Sequence, residues 1–199
     1  MKTLLISLKI FLFFTVLTGI LYPLLVTGIA QVTFPAKANG SLILKNHQVI
    51  GSELIGQRFD SVVYFSSRPS AIAYNPMPSG GSNFGLTNAK LKHSVDSLRS
   101  QFIIFNQLDN NTSIPSEMLF ASASGLDPHI SQEAALLQVD RIVKARNFNS
   151  DARQQILQSV KRMTEAPQFL FLGEERINVL SLNIELDKIA TNNHTNTTN

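Results

Sequence analysis

The chain has 199 residues, with 17 Lys+Arg, 14 Asp+Glu, a formal net charge of +3 and no cysteine. The lack of cysteine excludes disulfides, thiolate metal sites and cysteine nucleophiles. Lys2 and Lys9 are the only charged side chains before Lys37, so the rest carries fifteen basic against fourteen acidic residues; no basic run interleaved with aromatics marks a nucleic-acid surface.

The run from Ile10 to Ala36 holds no charge, and its core reads IFLFFTVLTGILYPLLVTGIA. A bilayer core is crossed by about 20 apolar residues, so a transmembrane helix is expected over 10–32, after a short basic tail over 1–9. A cleavable signal peptide is the competing reading, since Ala36-Lys37-Ala38 fits a small-x-small site, but signal h-regions run to about 7–15 residues. Thr15, Gly19, Pro23, Thr27 and Gln31 recur every four residues and form a small, weakly polar stripe on which another helix can dock in lipid. Pro23 removes a backbone donor and is expected to kink the helix. Lys2, Lys9 and the terminal amine favour a cytoplasmic N-terminus, which places the chain beyond the span outside.

About 165 residues then remain, enough for one domain with its own core. Asn39 to Gly51 reads as two short strands around a Lys45-Asn46-His47 turn. Leu54–Phe59 and Val62–Phe65 continue with extended character. Ser66 to Thr87 holds three prolines and three glycines together with Tyr74 and Phe84, the composition of an ordered or functional loop. Leu91, Val95, Leu98, Phe102 and Phe105 then form an amphipathic helical stripe, with Asn88 as N-cap. Asp109 to Ser113 is a polar loop, and Met118 to Ser124 reads as strand or extended chain. Ser131 caps a helix to about Asn147 with Ala134, Ala135, Val139 and Ile142 inward, and Ser150 or Asp151 caps another with Ile156, Val160 and Met163 inward. Ile177–Leu180 reads as a strand, and Ser181 opens a last helix through Leu186 and Ile189. The expected architecture is α/β (α+β): one N-terminal transmembrane helix, one mixed soluble domain over 33–190, and a disordered polar tail over 191–199.

Chemistry-bearing patterns are sparse. His47, His93, His129 and His194 show no metal-ligand spacing. Ser124, Asp127 and His129 have the residue types of a triad, but Ser-Gly-Leu-Asp-Pro-His is turn chemistry and no nucleophile elbow is present. Ser79-Gly80-Gly81-Ser82-Asn83 is a glycine loop whose backbone N–H groups can cradle phosphate, although it is neither a Walker A loop nor GxGxxG; a tight turn is the simpler use. Taken bottom-up, the residues give only a membrane-anchored α/β domain, with an extracytoplasmic hydrolase using Ser124 or His129 and a membrane-anchored substrate-binding or adhesion module both open.

A set of blocks in order narrows this. TGILYPLLVTGIAQ and FPAKANGSLI are followed by GSELIGQRF, YFSSRPSA, YNPMPSGGSNFG and TNAKL, then by ASASGLDPHIS, AALLQVDRIVKAR and FLGEERINVLSLNIELDK. Over about Thr18 to Lys188 the chain resembles the C subunit of the Kdp potassium-transporting P-type ATPase, the loop around Asn106–Ser116 and the tail after Lys188 matching no pattern. The resemblance implies an accessory subunit of an ATP-driven, high-affinity potassium uptake complex in a bacterial inner membrane. It implies a potassium-channel-like subunit and a P-type ATPase subunit as partners, and a catalytic-chaperone role that raises the ATP affinity of the ATPase subunit without hydrolysis by this chain. No cofactor is then expected to be held firmly. ATP is shared with the ATPase subunit, and Ser79–Asn83 is the part most like a nucleotide contact.

Overall fold

In a computed structural model the described residues are 1–45, 47–169 and 171–196. They divide into two compact units, Met1–Ser52 and Glu53–Asn199. The hairpin expected to open the soluble domain therefore belongs with the apolar helix, and the division falls some twenty residues later than the expected boundary at 33.

The first unit is one apolar helix and a hairpin. Helix α1 (Lys2–Val16), a π-helical turn (Leu17–Leu21) and α2 (Tyr22–Thr33) run on from one another. Together they span 32 residues, with none buried, long and apolar enough to cross a membrane. The helix thus begins earlier than residue 10 and takes in the basic tail. Sequence points to a kink at Pro23; what the structure shows just before it is the π turn, in which Tyr22 N–H reaches back five residues to Leu17 O. Proline cannot donate to the turn before it and its ring crowds that turn, and a wider turn relieves the crowding. Thr15 Oγ1 and Thr18 Oγ1 donate to Phe11 O and Phe14 O.

The π turn also sets the phase of the four-residue stripe. Each four-residue step overshoots an α-helical turn by ~40°, so from Thr15 to Gln31 the stripe would wind by ~160°. A π turn absorbs one extra residue and takes back roughly 100°. The five positions then lie within about 60° of one line.

After Thr33 the short helix α3 (Pro35–Ala38) leads into an antiparallel hairpin, β1 (Leu42–Lys45) and β2 (Gln48–Ser52). Leu44 faces Val49, and a bulge falls between Ile43 and Leu44. The hairpin is as expected from sequence, with Asn46 of its turn outside the described residues.

The second unit is α+β, mostly helical. Helices α4 (Ala89–Asn106), α5 (Gln132–Ala145), α6 (Ser150–Met163) and α7 (Val179–Asn196) accompany one two-stranded sheet, β3 (His129–Ile130) with β4 (Ile177–Asn178). The α5, α6 and α7 helices pack in sequence, with α4 against α5. The core includes Phe65, Phe102, Ile130, Val139, Ile142, Ile156, Val160, Ile177, Leu182 and Leu186. The caps follow short-range chemistry: Asn88 accepts from Lys90 N–H and Ser131 from Ala134 N–H. For α6 the cap is Asn149, one residue before the expected Ser150, because its extended backbone aims Oδ1 at Ala152 N–H.

Three expectations change. Met118–Ser124 is no strand: Ser116–Met118 is a 3₁₀ turn, and the chain beyond pairs irregularly, with Ser122 N–H on Pro69 O and Gly80 N–H on Ser124 O. The strand at Ile177 ends at Asn178, whose Oδ1 accepts from Ser181 N–H and starts α7 two residues early. The tail expected to be disordered from Thr191 continues α7 to Asn196. No proline or glycine interrupts it, and Thr191 Oγ1 donates to Asp187 O; residues 197–199 lie outside the described residues.

Val62–Phe65 is expected to be extended, but Val62 and Val63 form a turn, with Tyr64 N–H donating to Ser61 O at 3.1 Å, and the segment joins no sheet. Side chains from α5, from its C-cap Arg146 and from α7 pair the backbone of this turn and the residues after it. Asn183 accepts from Phe65 N–H at 2.8 Å and donates to Phe65 O at 3.0 Å. Gln138 accepts from Ser66 N–H at 2.7 Å and donates towards Ser66 O. Arg141 donates to Val62 O and Tyr64 O, and Arg146 to Val63 O. Buried backbone groups must be paired, and here amide and guanidinium groups pair five consecutive residues.

Candidate functional site

The segment that follows is Ser66–Thr87, which has no regular secondary structure. It is shaped by its own side chains. Ser70 Oγ accepts from Ile72 N–H and Tyr74 N–H and donates to Gly125 O. Tyr74 O–H donates to Arg68 O. Ala73 and Tyr74 consequently sit at φ +52° and +62°, a conformation that side chains with a Cβ take up only when their surroundings impose it.

The loop is seated on Ser122–Asp127. Gly80 N–H and Ser79 Oγ both donate to Ser124 O, at 3.1 and 2.9 Å. A Cβ at Gly81 would lie 3.1 Å from Ala123 O, and one at Gly125 would lie 2.4 Å from Ile72 Cγ1. Gly56 N–H donates to Leu126 O, and a Cβ at Gly56 would stand 2.5 Å from Asp127 O. In the Ser79-Gly80-Gly81-Ser82-Asn83 loop Gly81 therefore allows close backbone approach, while a Cβ at Gly80 would meet nothing within 4 Å and its amide is engaged by Ser124 O.

Arg68 and Asp127 lock the same region, with Nη1 and Oδ2 2.7 Å apart. Asp127 Oδ1 accepts from His129 N–H at 3.0 Å and lies 3.4 Å from His129 Nδ1. Burial by itself would raise the Asp127 carboxyl. The hydrogen bonds from His129 and the Arg68 guanidinium outweigh it and hold the group at about 2, below its ordinary 3.8. Burial pushes the Tyr74 phenol up. Burial likewise lowers Arg141 to about 10, while its charge rests 4.5 Å over the Phe105 ring.

Ser124, Asp127 and His129 are thus brought into one turn, but with turn chemistry. Ser124 Oγ accepts from Leu126 N–H, and Asp127 serves Arg68 and His129. A cavity of about 670 Å³ opens beside this region, lined by Arg58, Phe59, Arg68, Tyr74, Phe102 and Phe105 among others. None of Ser79–Asn83 is among its lining residues. Among the described residues no group of three His, Asp or Glu is arranged to hold a metal ion.

In the first unit, Gln31 of the stripe is engaged within the chain. Its Nε2 donates to Asn39 Oδ1 at 3.2 Å, and Asn39 Nδ2 returns a bond to Gln31 Oε1 at 3.3 Å. Sequence reasoning missed Arg68, Gln138, Arg141 and Asn183. One signal was available for Gln138, a polar side chain on the α5 face that also carries Ala134, Ala135 and Ile142.

Among the described residues, one apolar helix long enough to cross a bilayer, followed by an α+β unit with a clamped loop surface, fits a membrane-anchored protein. Residues 4–188 match the family described as "KdpC: K+-transporting ATPase, c chain", and the chain belongs to that family. It is 46% identical over 186 residues to a "Potassium-transporting ATPase KdpC subunit" of Methylococcus capsulatus, covering 92% of this chain and 96% of that one. The like-named protein of Dechloromonas aromatica is 45% identical over 194 residues, covering 96% and 100%. That of Geotalea uraniireducens is 45% identical over 195 residues, with the same coverage.

Proposed function

We propose that this chain is the accessory, non-hydrolytic C subunit of an ATP-driven potassium uptake complex. The observation that carries this reading is family membership running through the span and the α+β unit together. The partners are a channel-like subunit and a P-type ATPase subunit. The Thr15-Gly19-Pro23-Thr27 line docks the span against a partner helix; its small side chains support this, as does the π turn that keeps them near one line. The N-terminus is cytoplasmic, in keeping with Lys2 and Lys9, and the Glu53–Asn199 unit is extracytoplasmic.

The chain acts as a catalytic chaperone, stabilising the complex and raising the ATP affinity of the ATPase subunit. That effect is transmitted through the assembly, which requires contacts that differ between two states of the partner. Engagement of the Gly80 amide by Ser124 O favours transmission over a direct phosphate cradle at Ser79–Asn83. The chain has no cysteine, so Ser82→Cys gives a single labelling site on an exposed loop. In sealed, oriented membranes an impermeant maleimide is expected to label it from outside. Labelling only from the cytoplasm, with protection by ATP, would overturn the extracytoplasmic placement and restore a direct nucleotide contact.

A further inference from the structure

The hairpin β1–β2 carries an apolar face that the fold of its own unit leaves open. Leu42, Leu44 and Val49 are 53%, 64% and 57% exposed. Leu42 and Leu44 are two residues apart on one strand, and Val49 pairs directly with Leu44, so the three share a face. Three apolar side chains grouped in this way call for a cover.

Two observations bear on the nature of that cover. One is position. The reciprocal amide pair between Gln31 and Asn39 holds Asn39 beside the last turn of α2, two residues before its end at Thr33. Asn39 Nδ2 also donates to Pro35 O, and Ser52 Oγ donates to Gly40 O at 2.7 Å, closing the base of the hairpin at the same level. If the helix crosses a bilayer, as the proposed function requires, the hairpin base is fixed at the membrane–water boundary. Strands of four and five residues reach only ~13–17 Å from that base.

The other observation is charge. Met1–Ser52 contains Lys2, Lys9, Lys37 and Lys45 and no Asp or Glu, the first acid being Glu53. Lys37 lies in α3 and Lys45 ends β1, both on the hairpin side of the span. Basic side chains flanking an interfacial apolar face are the chemistry that anionic headgroups attract.

We propose that the β1–β2 hairpin is an interfacial foot: Leu42, Leu44 and Val49 rest in the headgroup region of an anionic bilayer, with Lys37 at the phosphates. The span then gains a second membrane contact that fixes its rotation and depth.

The chain has no tryptophan, so Leu44→Trp and, separately, Val49→Trp each place one indole on this face. Gln48→Trp places one on the other face. The full-length variants are reconstituted in phosphatidylcholine–phosphatidylglycerol vesicles, with and without bromine on the acyl chains. Leu44→Trp and Val49→Trp are expected to show blue-shifted emission, strong bromine quenching and little iodide quenching, and Gln48→Trp the reverse. Bromine quenching is expected to weaken in phosphatidylcholine alone, and equal quenching would overturn the anionic preference. Water-like emission quenched by iodide at both face positions would overturn the proposal. So would blue-shifted emission without bromine quenching, which would show a second copy or another protein on the face. Flotation with the vesicles reports the span separately. A chain that floats with water-exposed indoles refutes the foot alone, and one that does not float refutes the span and the foot together.

Discussion

Replacing Asn183 by Leu tests how the α+β unit is held together. Asn183 is 2% exposed and Phe65 is fully buried. Leucine has similar volume but offers neither donor nor acceptor, so Phe65 N–H and Phe65 O each lose the partner that the structure gives them. An unsatisfied buried backbone group costs roughly 1–3 kcal/mol, and two such groups give about 4 kcal/mol. For a unit of about 150 residues this lowers Tm by roughly 8–16 °C. Urea unfolding of the full chain in detergent, followed by circular dichroism, reads the loss, and hydrogen exchange at the Phe65 amide should accelerate with it. Gln101→Leu, at an exposed position of α4, is the control and should change stability by less than about 0.5 kcal/mol. A loss under about 1 kcal/mol for Asn183→Leu, with Phe65 exchange unchanged, would refute the idea that Asn183 holds the buried Phe65 backbone in place.

Further expectations concern the loop clamp, its pH dependence and the span. Gly56→Ala should destabilise the unit by about 2 kcal/mol or more, because the new Cβ meets backbone at Asp127 rather than a movable side chain; the urea midpoint reports it. The Asp127 carboxyl is held at about 2 against an ordinary 3.8, which corresponds to about 2 kcal/mol of stability. That contribution is full above about pH 4 and is lost as pH falls through about 2. Asp127→Asn should therefore be less stable at neutral pH and should lose less between pH 5 and pH 2, as measured by acid denaturation. Pro23→Ala should let the π turn relax to α-helix, rotating the Thr27 end of the stripe by ~100° relative to Thr15. Retention of partner subunits in detergent should fall, and unchanged retention would argue against the stripe as a docking line.

The features legible in the sequence were local. The charge-free run, the hairpin turn, and the Asn88 and Ser131 caps each depend on residues within a few positions of one another. The misses were long-range. Gln138 and Asn183 meet Ser66 and Phe65 across 72 and 118 residues, and no periodicity in Val62–Ser66 names its partners. The two-residue sheet of β3 with β4 is too short to leave an alternating pattern. Met118–Ser124 reads as strand or extended chain, and it forms no strand because its backbone pairs instead with Pro69 and Gly80. The Ser79–Asn83 loop shows the limit most clearly. Gly80 and Gly81 left a phosphate cradle and a tight turn both open, and their spacing could not show that Gly81 approaches the Ala123 backbone. The order of the family blocks carried more functional information than any single motif, because it tied the span and the extramembrane unit to one assembly.

Membership in a potassium-transporting assembly is tested most directly by purifying the full-length chain in mild detergent from its own host, grown with limiting potassium. The channel-like and ATPase subunits of a potassium-transporting ATPase are expected to elute with it, and Gly19→Leu in the span is expected to release them. Elution of the chain alone, while those subunits assemble and transport potassium without it, would contradict that membership.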